Sequence, residues 1–261
     1  MVDQQELGRF VWYELMTTDT GGAEAFYPAI TGWSPSPFPG MAEPYTVFMR
    51  GPAPVGGLMH LPDGARKAGA PPHWMSYVGT RDVDASAERA KQLGAKTVVP
   101  PTDIPNVGRF AVIADPQGAH LAIYKSSTSE ESPRDGAPEI GDISWHELAT
   151  TDAKAALQFY GALFGWEQTG AHDMGEMGVY HMFGWGGRAV GGMFTAPPNF
   201  PAPPHWLIYF RVADINRGAE AVKARGGKVL MGPHEVPGGD WIVQCMDPQG
   251  AAFALHAIKA G

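Results

Sequence analysis

Glu14 and Glu147 occupy equivalent places in the two halves of the sequence, and so do His73 and His205, each directly after a Pro-Pro pair. A carboxylate shielded from water has its pKa raised, and an imidazole titrates near neutrality already. Together these groups suit proton abstraction from a small organic molecule. In that chemistry Glu14 or Glu147 takes the proton, and a nearby His or Tyr steadies the oxyanion that develops. A structural reading uses the same residues. The glutamates are then inward carboxylates tied to Tyr, Trp or Arg donors, because an unpaired buried carboxylate is costly, and the two histidines cap the turns before them.

The equivalence comes from an internal repeat with an offset of about 133 positions. Glu14-Leu15-Met16-Thr17-Thr18-Asp19 matches Glu147-Leu148-Ala149-Thr150-Thr151-Asp152. Phe26-Tyr27 and Gly32-Trp33 match Phe159-Tyr160 and Gly165-Trp166, and Val55-Gly56-Gly57 matches Val190-Gly191-Gly192. Pro71-Pro72-His73-Trp74 and Asp115-Pro116-Gln117-Gly118 recur as Pro203-Pro204-His205-Trp206 and Asp247-Pro248-Gln249-Gly250. A repeat this long is a duplicated domain, since solenoid units are shorter. We place the copies at 1–126 and 142–261, joined by a Ser-, Glu-, Pro- and Gly-rich linker over 127–141.

Acidic residues outnumber basic ones, 27 to 19, for a formal net charge of −8. Such a surface repels nucleic acid and anionic lipid. The single cysteine, Cys245, rules out an internal disulfide framework and has no evident activating partner. Met1 to Phe10 is unlike a signal sequence, and no apolar run reaches the roughly 18 residues of a membrane span. The expectation is a cytoplasmic protein, monomer or homodimer, whose partner is a small organic ligand.

To position these residues, each copy needs strand, helix and several strands, twice over. The pattern predicts a strand over 10–17, a helix from its Asp19 cap to Ile30 ended by Gly32, and strands over 45–50 and 55–60. A strand over 73–80, a helix over 84–93 stopped by Gly94, and strands over 110–114 and 119–124 follow. Without long β-α-β alternation, a doubly wound parallel sheet is disfavoured.

The opening strand leading to Asp, the Phe-Tyr and Gly-Trp pairs and the closing Asp-Pro-x-Gly hairpin resemble the glyoxalase/bleomycin-resistance/dioxygenase group, the vicinal oxygen chelate superfamily. The Pro-Pro-His-Trp strands resemble its two-domain bacterial branch. The resemblance implies an α+β fold: tandem duplicated glyoxalase-like domains, each of two βαβββ units forming a curved, antiparallel-dominated cup. Metal-using members place His, Glu or Gln on the inner strands. The corresponding positions here are Trp12 and Trp145, Ala122 and Ala254, Met75 and Leu207, and a place within 55–59 or 190–194, none of which offers a good ligand.

Side chains two positions from such a slot share its face. That selects Trp12, Glu14, His73, Tyr77 and His120 in the first copy, and Trp145, Glu147, His205, Tyr209 and His256 in the second. Glu14, Glu147, His73 and His205 are the candidate catalytic groups; Trp12, Trp145, Tyr77, Tyr209, His120 and His256 are the candidate ligand contacts. His60, His146, His172, His181 and His234 read as surface or turn residues. The primary expectation is a cup without metal or other cofactor that binds a small organic molecule and sequesters or transforms it. The rival is a divalent-metal-dependent lyase, isomerase or dioxygenase whose ligands have shifted along the strands, since two imidazoles and a carboxylate are donors of several mononuclear sites. A third reading makes one copy a structural module.

Overall fold

An aspartate opens each principal helix. Asp19, Asp82, Asp152 and Asp214 sit in extended backbone and accept hydrogen bonds from the amides of Gly22, Ala85, Ala155 and Asn216, each at 2.9 Å. A cap of this kind is worth about 1 kcal/mol and fixes where a strand turns into its helix. In this computed structural model, residues 7–39, 41, 43–128 and 136–259 are described, so residues 129–135 of the expected linker lie outside them.

The first repeat runs β1 (Phe10–Thr17), α1 (Thr20–Phe26), α2 (Pro28–Thr31), β2 (Ser34–Pro37), β3 (Tyr45–Arg50), β4 (Ala53–His60), α3 (Asp63–Lys67), β5 (His73–Gly79), α4 (Val83–Gln92), β6 (Lys96–Ile104), β7 (Gly108–Ala114) and β8 (His120–Ser126). The second runs β9 (Ile143–Thr150), α5 (Ala153–Phe164), β10 (Glu167–Asp173), β11 (Val179–Trp185), β12 (Arg188–Thr195), β13 (His205–Arg211), α6 (Ile215–Ala224), β14 (Lys228–Glu235), β15 (Trp241–Met246) and β16 (Ala252–Ala257). Each repeat contributes one open eight-stranded sheet, ordered β2-β3-β4-β1-β5-β8-β7-β6 and β10-β11-β12-β9-β13-β16-β15-β14. Parallel pairing occurs between β1 and β4, β5 and β8, β12 and β9, and β13 and β16, while the hairpins are antiparallel. This is the α+β, tandem, mixed-sheet architecture expected.

Four elements depart from the sequence pattern. The first helix is broken at Pro28, whose ring nitrogen cannot donate, so α2 restarts there and ends at Gly32 with φ 77°. Strands β2 and β6 carry Pro35 and Pro37, and Pro100 and Pro101, which argued against strands; both lie at sheet edges, where a missing donor costs no ladder bond. Helix α4 starts at Val83 and takes Asp82 as its cap, two residues before Asp84, which was expected to begin it.

Two compact units cut across the repeats. One comprises Met1–Trp12, Met75–Asp135 and His146–Trp206; the other comprises Tyr13–Trp74, Gly136–Trp145 and Leu207–Gly261. In the second unit, α1 and α2 of the first repeat share a core with β13, α6, β15 and β16 of the second, through Phe26, Tyr27, Trp33, Phe210, Val222 and Phe253. At its centre the fully buried Tyr27 hydroxyl donates to Asp247 Oδ2 at 2.8 Å and accepts from Trp74 Nε1 at 3.0 Å. Asp247 Oδ1 accepts the amides of Gln249, Gly250 and Ala251, which shapes the Asp-Pro-Gln-Gly turn.

The other unit repeats the arrangement with the repeats exchanged. Tyr160 donates to Asp115 Oδ2 at 2.9 Å, Trp206 Nε1 donates to Tyr160 at 3.2 Å, and Asp115 Oδ1 accepts three turn amides. Burial, then the facing aspartate, holds the Tyr27 and Tyr160 phenols well above their usual pKa, so both stay neutral donors. Cys245 is buried in the Tyr27 core and burial pushes its thiol up to about 12, as suits an inert packing residue. Among the described residues, no helix is long and apolar enough to cross a membrane.

Tyr27→Phe and Tyr160→Phe should each lower unfolding stability by about 1–3 kcal/mol in urea titrations, because each strips a buried carboxylate oxygen of its donor. Unchanged denaturation midpoints would mean that these bonds contribute little.

Candidate functional site

Strand register places each candidate glutamate opposite the second glycine of a Val-Gly-Gly motif. Glu14 on β1 pairs with Gly57 on β4, and Glu147 on β9 pairs with Gly192 on β12. Both glycines are occupied from above by a tyrosine. A Cβ on Gly192 would collide with the Tyr180 ring and hydroxyl; one on Gly57 would collide with the Tyr45 hydroxyl and lie 2.8 Å from Glu14 Oε1. The bare glycine therefore lets a tyrosine lie flat across the strand and reach the carboxylate. In the second repeat the bond is explicit, with Tyr180 Oη donating to Glu147 Oε2 at 3.0 Å. The first glycine of each motif serves a different need. Gly56 faces the carbonyl of Tyr13 and the Trp74 ring, and Gly191 faces the carbonyl of His146 and the Phe183 ring.

Glu14 is buried and Glu147 half-buried. Tyr45 and Tyr180 are thus members of the candidate site that were not singled out from the sequence. Their signal was available: both recur at the same distance before the second glycine of Val-Gly-Gly.

His73 and His205 tie their Nδ1 atoms to the carbonyls of Pro71 and Pro203, at 2.7 and 2.8 Å. A carbonyl only accepts, so Nδ1 is the donor and the neutral ring presents its lone pair at Nε2. Neither ring in that tautomer can donate from Nε2 to an oxyanion. A histidine here works as an acceptor or, once protonated, as a donor.

Within the unit that holds Glu147, His205 also ends an aromatic series. Tyr180 and Phe194 lie nearly parallel with centroids 6.4 Å apart, Phe194 and Phe200 are 5.9 Å apart, and Phe200 and His205 are 6.2 Å apart with 23° between planes. All four rings are half-exposed.

The remaining candidates fall into local clusters. Tyr77 is buried between Phe110 and Tyr124, with centroids 6.3 and 6.2 Å away. Tyr209 is buried with Leu207 and Ala254, against which Trp145 packs, and its hydroxyl accepts from Gln244 Nε2 at 3.4 Å. Tyr77 and Tyr209 stand beside Ala122 and Ala254 in the parallel registers, so alanine at those positions makes room for a ring. Trp12 is half-buried on β1. His120 is exposed at the start of β8. His256 has both nitrogens engaged, Nδ1 with Ser144 Oγ at 2.9 Å and Nε2 with Asp240 at 3.1 Å.

Among the described residues, no three His, Cys, Asp or Glu side chains gather as a metal-binding group. The donor set also misfits a metal at the positions the sequence comparison singled out, which carry Trp12, Trp145, Ala122, Ala254, Met75 and Leu207.

One histidine read as a surface or turn residue is core. His146 is buried, stacks on Phe10 with centroids 3.6 Å and planes 3° apart, and bonds through Nδ1 to the Val190 carbonyl at 2.8 Å. Burial pushes its pKa down to about 4 against the opposing effect of that bond. His60 and His172 are exposed, whereas His181 and His234 are half-buried within strands β11 and β14.

The sequence model described as Glyoxalase/Bleomycin resistance protein/Dioxygenase superfamily matches residues 9–123 and again 142–255. "Putative glyoxylase CFP32" of Mycobacterium tuberculosis is 32% identical over 249 residues, covering 94% of this chain and 92% of that relative. "Anthracycline biosynthesis protein DnrV" of Streptomyces peucetius is 30% identical over 270 residues, covering 97% and 94%. Among solved structures, the Mn(II)-bound glyoxalase from Novosphingobium aromaticivorans superposes with a TM-score of 0.61 at 17% identity, covering 98% of this chain and 84% of that one.

Gly192→Ala and Tyr180→Phe should be non-additive in thermal unfolding, with a coupling of about 1 kcal/mol, because both remove the same hydroxyl from Glu147. Additive losses would show that the glycine serves something else. His146 should make stability fall with acid. Its folded pKa lies below the unfolded value, so its contribution is complete above pH ~6.5 and lost as pH falls toward ~4, a change of about 3 kcal/mol. His146→Phe, which can keep the stack on Phe10, should flatten the urea midpoint across that window; a parallel profile would refute the assignment.

Proposed function

Because the chain belongs to the glyoxalase/bleomycin-resistance/dioxygenase superfamily, we propose that it binds a small organic molecule and acts on it through Glu/His acid-base chemistry without the family's metal. The observation that carries this reading is the glutamate beside a tyrosine hydroxyl above a glycine, built in both repeats, while the usual ligand positions carry indole and alkyl side chains.

Tyr180 donates to Glu147 Oε2, and Glu147 is the proton acceptor of this reading. When it takes the proton, the charge that bound the Tyr180 hydroxyl is gone, and the phenol can donate to an oxyanion developing on the ligand. Tyrosine thereby takes the stabilising role, since neutral His205 presents an acceptor at Nε2. Trp12, Tyr77 and His120 in one unit, and Trp145, Tyr209 and His256 in the other, are kept as proposed ligand contacts of their own units. The half-exposed rings of Phe194 and Phe200 beside Tyr180 support an organic molecule with a planar apolar part as the ligand class.

The test is elemental analysis of protein purified without chelators. The expected result is a divalent metal content far below one per chain, unchanged in Glu14→Ala and Glu147→Ala. A stoichiometric ion lost in either variant would overturn the reading in favour of a metal-dependent lyase, isomerase or dioxygenase.

A further inference from the structure

The two repeats share the glutamate, tyrosine and glycine, but they do not share the surface beside them. In the second repeat the series Tyr180, Phe194, Phe200 and His205 extends from Glu147 as a half-exposed aromatic wall lying within one compact unit. Register fixes the comparison. Phe194 stands two residues beyond Gly192 and opposite Ala149; its counterpart two residues beyond Gly57, opposite Met16, is Met59. Between Met59 and His73 the sequence holds no Phe, Tyr or Trp, so nothing there can replace Phe200. Tyr45 instead meets Phe38 edge-on, with centroids 6.1 Å apart, on a side chain that is 42% exposed.

We infer that the second repeat alone is the binding site, and that its ligand is a planar aromatic molecule bearing a hydroxyl group. Phe194 and Phe200 stand edge-on, with 74° between their planes, so a planar ring can stack on the face of one while meeting the edge of the other. At either end of the wall stands a hydrogen-bond acceptor, the Glu147 carboxylate and the Nε2 lone pair of His205, which select a hydroxyl donor on the ligand. The Glu14 and Tyr45 pair keeps the same local geometry and, without such a wall, serves to hold β1, β3 and β4 together. This rests on the proposed function and narrows it to one site and one ligand class.

Titration of the intact protein with the hydroxyanthraquinone alizarin, followed by absorbance, tests the inference. The expected result is one molecule bound per chain. Phe194→Leu and Phe200→Leu should each weaken binding about three- to tenfold, the range of an aromatic pair, while Phe200→Tyr restores it. Phe38→Leu and Met59→Leu should change it by less than about twofold, below that range. Folding of every variant is checked by circular dichroism. Two equivalent molecules per chain, no binding, or losses centred on Phe38 and Met59 would overturn the inference. The metal content decides the underlying function separately, since it is read without ligand.

Discussion

A buried tyrosine hydroxyl facing a buried aspartate is the constraint on which the rest of this fold depends. Tyr27 and Asp247, and Tyr160 and Asp115, are each fully or nearly fully shielded from water. A buried carboxylate must have its oxygens satisfied, and here one oxygen takes three turn amides and the other takes the phenol. Burial raises the Asp247 pKa while the four donors oppose it, so the interaction is a balance between desolvation and hydrogen bonding. Because the donor comes from a helix of one repeat and the acceptor from a hairpin of the other, neither repeat satisfies its own polar core.

The Gly-Trp pairs obey the same exchange. Trp33 Nε1 donates to the carbonyl of Gly141 at 2.7 Å, and Trp166 Nε1 donates to the carbonyl of Gly8 at 2.5 Å. Both glycines have positive φ, at 88° and 75°, and a side chain at either would run into neighbouring backbone or Arg50. The glycine before each opening strand is thus required by its left-handed backbone and crowded surroundings, and its carbonyl serves the tryptophan of the opposite repeat. The compact units follow from this pairing of helices and hairpins, which is why their limits fall inside β1, β5, β9 and β13 as well as within the linker.

What the sequence made legible was whatever the repeat printed twice. Asp19 and Asp152 as caps, Gly32 and Gly165 as helix ends, and the Asp-Pro-Gln-Gly turns all rest on local chemistry, which sequence order exposes. Edge strands β2 and β6 escaped notice because proline normally argues against a strand, and edge position depends on the finished sheet. His146 escaped for a related reason. Its burial is created by Phe10, which is distant in sequence and adjacent only after folding. The candidate glutamates followed from the repeat and from strand phase beside the family's ligand positions, whereas their tyrosine partners lie on a third strand and were signalled only by the repeated spacing before Val-Gly-Gly.

Duplication gives two copies of each site, and the reciprocal core makes both copies indispensable to folding. The most symmetric landmarks are the members of that core: Tyr27 and Tyr160, Trp74 and Trp206, Asp115 and Asp247. The surfaces beside Glu14 and Glu147 carry no such obligation, and it is there that the repeats differ, with Met59 against Phe194 and no aromatic against Phe200. Apart from the shared glutamate, tyrosine and glycine of the proposed site, symmetry in this chain marks residues that hold the fold, and the departures from symmetry lie on the surfaces beside that site.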